Sequence, residues 1–259
     1  MMNFWLNARV THLKNSLQHR WDLPLKVQFE VKRTDIERVH IPRWKRMLDV
    51  TCILISSPAW LPLMIAISLW IKMISRGPVL FRQERIGYRG RRFSCLKFRS
   101  MKVNAETQSH EGYFEKLIKS ESPMIKLDNR GDSRLIPWGK LFRATGLDEL
   151  PQILNVLRGE MSLVGPRPCT PHEFQHYEPW QRERFNAPAG LTGYWQVNGK
   201  NKTTFREMME MDIFYGKNMS LRLDIAIILK TPPALAIQVW ESLARKQMTG
   251  RESQGELAR

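Results

Sequence analysis

Two adjacent carboxylates and an arginine held between prolines lie within the stretch 145–168. The carboxylates are Asp148 and Glu149, and the arginine is the third residue of Gly165-Pro166-Arg167-Pro168. Because proline fixes φ, the side chain of Arg167 extends from a stiff backbone. Carboxylates and a guanidinium are groups that phosphoryl transfer requires. The stretch is therefore a candidate site for that chemistry.

The element that must position the two acids is predicted to be a helix. Its apolar residues recur at intervals of three and four: Leu147, Leu150, Ile153, Leu154 and Leu157. Thr145 is a candidate start signal, Pro151 fits only the first turn, and Gly159 is predicted to end the helix. The acids then lie at the positive end of the helix dipole, which favours anionic ligands. The same pattern is typical of a structural cap beside a solvated acid, so spacing alone leaves both interpretations open.

The composition indicates an acidic partner. The 259 residues include 41 Lys and Arg against 25 Asp and Glu, a formal charge of +16. Nucleic acid, anionic lipid and a phosphorylated substrate all fit this charge, which does not choose among them. The cysteines, at 52, 95 and 169, are widely spaced and show no metal-ligand or disulfide pattern. They indicate reduced thiols in a cytoplasmic setting.

The segment 50–71 is the strongest apolar feature, with no charged residue over 22 positions. A continuous helix of this length reaches about 33 Å, enough for the hydrocarbon core of a bilayer. A buried helix of a soluble protein is the alternative. Trp60 and Trp70 suit a membrane interface, and basic residues lie on both sides of the segment. These features favour a membrane helix.

The topology of this helix is predicted from its prolines and its flanks. Ser56-Ser57-Pro58 and Pro62 predict a kink, with serine hydroxyls replacing part of the lost backbone hydrogen bonding. Residues 1–46 hold ten Lys and Arg against four acids, and residues 72–102 hold ten against one. A straight span would carry one basic flank across the membrane, against the positive-inside tendency. We therefore expect a re-entrant helix-break-helix that enters and leaves by the cytoplasmic face.

The remaining chain is predicted to be α/β and mostly helical. Residues 77–101 predict a short β-hairpin with a turn at Gly87–Gly90, and residues 104–131 a loop with a short helix at 113–119. A further helix is expected from Ile136-Pro137-Trp138. Residues 189–202 are predicted to be a glycine-rich loop whose backbone approaches a ligand, or else a surface turn. The runs 221–230 and 234–244 predict two short helices, either interfacial or packed on the core.

The predicted domain organisation follows from these elements. Residues 1–40 form an N-terminal extension of unknown role, and residues 41–75 form the re-entrant helix. A compact cytoplasmic catalytic domain, with the hairpin and interfacial amphipathic helices, occupies residues 76–247. A polar tail covers residues 248–259.

Four motifs in order resemble the bacterial sugar transferase family, the monotopic polyprenyl-phosphate phosphoglycosyl transferases. They are KFRSM at 97–101, LDELPQILNVLRGEMSLVGPRP at 147–168, LTGYWQVNGK at 191–200, and a D-x-x-Y at 212–215 followed by NMSLRLD. The likeness runs from about Arg46 to Pro233 and includes the Ser-Pro break in the membrane helix. Residues 1–40 fall outside it.

The resemblance implies a specific reaction. Family members transfer a sugar 1-phosphate from a UDP-sugar to a polyprenyl phosphate such as undecaprenyl phosphate, and they release UMP. The family's acidic dyad falls on Asp148 and Glu149. Asp148 is then the nucleophile that forms a covalent phosphosugar intermediate and the residue that contacts Mg²⁺, while Glu149 assists. Bilayer association follows, at the bacterial inner membrane with the catalytic domain on the cytoplasmic face.

The phosphate-binding candidates come from the same motifs. Lys97, Arg143, Arg167 and Lys200 match basic positions, although at Lys200 the family usually has arginine and at Ala189 it usually has proline. Lysine keeps the charge but loses the bidentate fork of arginine. Whether Arg167 holds the donor diphosphate or the lipid phosphate stays open, as do the sugar, the glycan pathway and a homodimer.

Two other functions are weighed against this one. An inactive membrane-bound homologue that serves as an assembly scaffold is disfavoured by the intact Asp148, Glu149 and Arg167. A nucleic-acid-binding protein is disfavoured because the chain has no recognisable binding module and contains a long apolar run.

Overall fold

The computed structural model describes residues 41–101, 135–199 and 202–256, without the side chains of Lys140 and of the residues after Trp240. The predicted helix at 113–119, the N-terminal extension and Lys200 lie outside the described residues. The described part is mostly helical, with a short β-hairpin and two helices that are long and apolar enough to cross a membrane.

Seven α-helices and four short strands make up the described part. The helices are α1 Arg43–Ile74, α2 Gly139–Thr145, α3 Gln152–Leu157, α4 Pro171–Gln175, α5 Tyr194–Asn198, α6 Phe205–Asn218 and α7 Leu221–Glu256. The strands are β1 Leu80–Ile86, β2 Arg92–Phe98, β3 Ser162–Val164 and β4 Gly190–Thr192. Short 3₁₀ turns cover Tyr88–Gly90, Leu147–Glu149 and Gln181–Asn186.

The predicted hairpin is confirmed. Strands β1 and β2 pair antiparallel, with Phe81 opposite Lys97 and Gln83 opposite Cys95. The connecting turn contains Arg89 at φ 51° and Gly90 at φ 74°, left-handed conformations that reverse the chain tightly. Because side chains alternate along a strand, Phe81, Lys97 and Cys95 lie on one face of the hairpin.

A second, two-stranded parallel sheet carries the Gly-Pro-Arg-Pro turn. Strand β3 pairs with β4, with Ser162 opposite Gly190. A Cβ atom at Gly190 would lie 2.1 Å from the backbone nitrogen of Gly165, so glycine is required for this approach. The predicted loop at 189–202 therefore contains a strand and the short helix α5, and its glycines serve contact between two backbones.

Helix α1 is continuous through both prolines, so the predicted break does not interrupt it. The predicted replacement of backbone bonds by serine is confirmed, since the Ser57 hydroxyl donates to the Leu54 carbonyl at 2.8 Å. That carbonyl would otherwise bond the amide that Pro58 lacks. The Trp60 indole donates to the Ile53 carbonyl at 3.0 Å, about two turns earlier in the helix.

The C-terminal run also differs from its prediction. One helix, α7, passes through Pro232 and Pro233 where two short helices were expected. The Thr231 hydroxyl donates to the Ile227 carbonyl at 2.7 Å and lies 2.9 Å from the hydroxyl of Thr192 on β4. The contact with β4 thus supports α7 directly before its two prolines, where backbone hydrogen bonds are missing.

The core consists of apolar clusters that join α1 to the rest of the fold. Ile53 packs with Ile153, Val156 and Met161, whereas Ile67 and Ile71 pack with Phe98, Ile136 and Phe142. Leu150 contacts both clusters. Both halves of α1 therefore pack against the segment that contains the two acids.

Candidate active site

The two acids lie in a 3₁₀ turn rather than inside an α-helix. Thr145 ends α2 instead of starting the next helix, and its hydroxyl donates to the Leu141 carbonyl at 2.8 Å. Gly146 follows at φ 74°, the left-handed conformation that commonly ends a helix. The 3₁₀ turn then leads to α3, which begins directly after Pro151. The prediction that Gly159 ends this segment is confirmed by its φ of 78°.

The two carboxylates have different environments. Asp148 is buried, with 9% of its surface exposed, whereas the side chain of Glu149 is 40% exposed. Lys97 of β2 donates to the Oε1 atom of Glu149 at 3.1 Å. A predicted phosphate-binding residue and a predicted catalytic residue thus meet across 52 positions of sequence.

Asn155 attaches α3, which follows the two acids, to strand β2, which carries Lys97. It is fully buried on α3, and its Oδ1 atom accepts from the Leu96 backbone amide at 3.0 Å. Its Nδ2 atom donates to the Ser94 carbonyl at 2.8 Å. The amide therefore bonds β2 in the way that a neighbouring strand would. Since Lys97 follows Leu96 directly, Asn155 holds its strand against the segment of the dyad.

The Arg167 turn is held by two buried arginines. Arg184 donates to the Arg167 carbonyl at 2.8 Å, and Arg85 donates to the Pro168 carbonyl at 3.1 Å. The Gly190 amide donates to the Pro166 carbonyl at 2.9 Å. Three successive carbonyls are thus bound, while the side chain of Arg167 is exposed. This arrangement fixes the backbone and leaves the guanidinium available to a ligand.

Arg184 depends on a carboxylate from α6. Its guanidinium donates to Asp212 at 2.5 Å and to the Tyr177 hydroxyl at 3.0 Å, and both ionic groups are 2% exposed. Burial raises the pKa of Asp212 to about 6, and the Arg184 charge limits that rise. Asp212 is therefore mainly ionised at neutral pH, as its role with Arg184 requires.

The Cys95 thiol marks where the cations of the site converge. Burial raises its pKa, and Lys97, Arg85 and Arg167 act in the opposite direction. Glu149 also lies within electrostatic range of this thiol. A buried thiol with a raised pKa stays neutral and is a poor nucleophile. A carboxylate of the dyad is therefore a better candidate nucleophile than this thiol.

Arg143, a further predicted phosphate-binding residue, is half-buried on α2, five positions before Asp148.

The sequence analysis did not select four residues that hold the site together. They are Arg85, Arg184, Asn155 and Asp212. The D-x-x-Y motif was a signal for Asp212, since a buried motif acid requires a cationic partner.

The predicted Mg²⁺ would be held partly by the protein and partly by substrate phosphates and water. Among the described residues no group of three or more His, Cys, Asp or Glu could hold a metal ion. Mg²⁺ is commonly bound by one or two carboxylates together with substrate phosphates and water. Asp148 with an adjacent Glu149 fits that mode, so the residues present are compatible with the ion.

Carboxylates beside cations suit phosphoryl transfer, and two strongly apolar helices on the same mostly helical fold favour association with a membrane. The chain belongs to the bacterial sugar transferase family, whose model matches residues 41–238. The resemblance found in the motifs is thereby confirmed.

Three relatives illustrate the similarity. The chain is 34% identical over 193 residues to the exopolysaccharide production protein ExoY of Sinorhizobium fredii. The matched region covers 74% of this chain and 85% of that relative. It is 38% identical over 208 residues to the UDP-glucose:undecaprenyl-phosphate glucose-1-phosphate transferase of Caulobacter vibrioides. That match covers 77% of this chain and 72% of the relative. It is 44% identical over 170 residues to the UDP-galactose-lipid carrier transferase of Erwinia amylovora, covering 64% of this chain but 35% of that relative.

Proposed function

We propose that the protein transfers a sugar 1-phosphate from a UDP-sugar to undecaprenyl phosphate or a similar polyprenyl phosphate, with release of UMP. This reaction is the initiating step of exopolysaccharide, capsule, O-antigen or glycoprotein glycan synthesis. The observation that carries the proposal is the buried Asp148 beside the Lys97–Glu149 pair. Family membership and the printed activities of the relatives support the substrate classes.

The reaction proceeds in two displacements at one phosphorus atom. A carboxylate oxygen of Asp148 attacks the β-phosphorus of the UDP-sugar, and the bond from that phosphorus to the bridging oxygen breaks. UMP leaves with that oxygen, and the sugar phosphate remains on Asp148. An oxygen of the polyprenyl phosphate then attacks the same phosphorus and displaces the carboxylate. The products are a polyprenyl diphosphate sugar and free Asp148.

The cations of the site stabilise charge during both steps. Lys97 holds Glu149 in place and adds positive charge where two polyanions must meet. Arg167 offers two parallel donors to a phosphate from its fixed turn. Arg143 and Lys200 remain candidates for the other phosphate oxygens. Mg²⁺, when bound at Asp148, supplies further neutralisation of the phosphate charge.

We also propose that α1 is re-entrant and that the site faces the cytoplasm at the inner membrane. Support comes from the packing of both halves of α1 on one folded unit, with Leu150 in contact with each cluster. A helix that crossed the bilayer would instead place the residues that pack on its two halves at opposite faces of the hydrocarbon core. A re-entrant α1 holds the site at the membrane surface, where the phosphate of a lipid can reach Asp148 while the lipid chain stays in the bilayer.

The chemistry is tested with the full chain in detergent or nanodiscs. Incubation with Mg²⁺, undecaprenyl phosphate and a panel of UDP-sugars is expected to release UMP, and Asp148→Asn should abolish that release. Without the acceptor, intact mass spectrometry should find one phosphosugar on the wild type and none on Asp148→Asn. Glu84→Gln on the exposed hairpin surface is the control. An adduct on Asp148→Asn would refute the nucleophile, and wild-type protein without turnover on any donor would favour the scaffold alternative.

The topology is tested by labelling single cysteines with a membrane-impermeant reagent. Cysteines replace exposed Arg43 or Arg76, at the two ends of α1, in a chain whose three native cysteines are changed to serine. A re-entrant helix places both positions on the cytoplasmic side. Labelling of the two from opposite sides of sealed vesicles would contradict the proposal.

A further inference from the structure

A buried polar cluster joins both apolar helices to the strand that precedes Arg167. We define the α1–β3 latch as Lys45 and Asp49 of α1, Tyr215 of α6 and Asp224 of α7. All four residues are at most 1% exposed. Burying charged and polar groups to this extent is unfavourable unless they are hydrogen-bonded, so the bonds that these four residues make decide where they can lie.

Asp49 completes the edge of β3 that does not pair with β4. Its Oδ1 atom accepts from the Leu163 backbone amide at 3.0 Å and from the Ser162 hydroxyl at 3.0 Å. Side-chain oxygen thus takes the place of a third strand. The contact fixes the position of β3 along α1, because successive residues of the strand bond one carboxylate.

Tyr215 and the ion pair extend this contact to α7. Lys45 donates to Asp224 at 2.5 Å and to the Tyr215 hydroxyl at 2.8 Å. That hydroxyl lies 2.7 Å from Asp224 Oδ1 and 3.1 Å from the Val164 carbonyl, so two acceptors share one proton. Lys45 and Asp49 are four positions apart, and therefore lie on one face of α1.

Three successive residues, 162 to 164, are thus held by the latch directly before Gly165. We propose that Asp49 and Tyr215 are positioning residues for Arg167, and that Lys45 with Asp224 couples the placement of α1 and α7 to the position of this turn. The role in catalysis rests on the proposed function. Arg85 and Arg184 hold the turn from the carbonyls that follow, whereas the latch holds the strand before it.

The coupling is tested by a double-mutant cycle on UMP release with Tyr215→Phe and Arg167→Ala. Tyr215→Phe removes one hydroxyl and keeps the ring, and we expect the donor kcat/KM to fall by about tenfold or more because the guanidinium is misplaced. In the Arg167→Ala background the same change should alter the rate by less than about twofold. Tyr88→Phe in the hairpin turn is the matched control and should leave the wild-type rate unchanged.

Hydrogen exchange supplies a readout that does not need activity. In Tyr215→Phe, peptides from 160–169 should exchange faster than in the wild type, while peptides from 80–98 should not change. If Tyr215→Phe does not fold, Asp49→Ala, which removes the acceptor of the Leu163 amide and the Ser162 hydroxyl, takes its place in both measurements. A wild-type rate in the variant, or losses that multiply in the double variant, would overturn the inference. Failure of the wild type to release UMP would refute the proposed function instead, and the exchange comparison would still decide whether the latch positions the turn.

Discussion

The cations of the site divide into two groups by burial. Arg85 and Arg184 are buried and donate to backbone carbonyls of the Arg167 turn. Lys97 and Arg167 are less buried, and their charges are accessible to a ligand. A buried arginine that bonds carbonyls acts on structure, whereas an accessible cation acts on substrate charge. Substitutions in the two groups should therefore have different effects.

Lys97→Met tests the second group. Removing a cation that bonds Glu149 should lower the donor kcat/KM by roughly 100-fold. The melting temperature should change little, because methionine keeps the length and the apolar packing of the lysine side chain. Activity assays and thermal melts in detergent measure the two quantities. Arg92→Ala removes an ion pair of the same hairpin whose partners are 62% and 54% exposed, and it should leave both quantities unchanged. Equal loss of activity in the two variants would contradict a specific role for Lys97.

At the scale of elements, short segments depend on side chains from elsewhere in the chain. Helix α3 is bound at its C-terminal end by Arg46 of α1, which donates to the Val156 and Leu157 carbonyls. At the same time Asn155 attaches α3 to β2. A helix of six residues is too short to be stable by itself, so these bonds help to define it.

Asn155→Leu should destabilise this connection. The change leaves the Leu96 amide and the Ser94 carbonyl without their partner in a buried site, and we expect a loss of about 1–3 kcal/mol in the free energy of unfolding. Denaturant titration in detergent measures it. Glu160→Gln keeps an oxygen acceptor for the Asn155 Nδ2 atom and should cost less than Asn155→Leu. An Asn155→Leu variant as stable as the wild type would contradict the role of these hydrogen bonds.

At the scale of the molecule, two apolar helices combine with a strongly basic chain. The most apolar 18-residue windows of segments 43–74 and 221–240 have mean hydropathies of 2.0 and 1.3, yet only 11% of each window is buried. Exposed apolar side chains on α7 include Ile225, Leu229 and Trp240. The formal charge of +16 adds attraction to anionic lipid surfaces. Both helices are therefore expected to contribute to membrane association.

Ile225→Lys with Leu229→Lys tests the contribution of α7. Charge on its exposed apolar face should shift part of the protein from the membrane pellet to the soluble fraction, because lysine within the hydrocarbon costs about 2.5–3.5 kcal/mol. Flotation with liposomes measures the shift. Replacing exposed Asn198 and Asn218, which end α5 and α6, by lysine adds the same charge at polar positions and should not change the fraction bound. Identical behaviour of the two variants would show that α7 does not insert.

Local patterns in the sequence determined the family and several of the elements. The hairpin and the apolar helix followed from alternation and hydropathy, and the order of motifs indicated the family. The serine bond beside Pro58 also followed from local chemistry, because a proline frees a nearby carbonyl. The roles of Asp148 and Glu149 were assigned by the motifs and stay predictions.

Only the tertiary structure decided how distant residues combine. The Lys97–Glu149 pair and the Lys45–Tyr215 bond join positions 52 and 170 apart, which no local pattern specifies. The sequence analysis was wrong at two places. Thr145 ends a helix instead of starting one, and one helix, not two, runs through Pro232 and Pro233. Packing and side-chain bonds can outweigh local signals of about 1–3 kcal/mol, since cap and proline preferences are of that size. The sequence therefore indicated the family and the candidate reactive groups, and long-range contacts decided how those groups are placed.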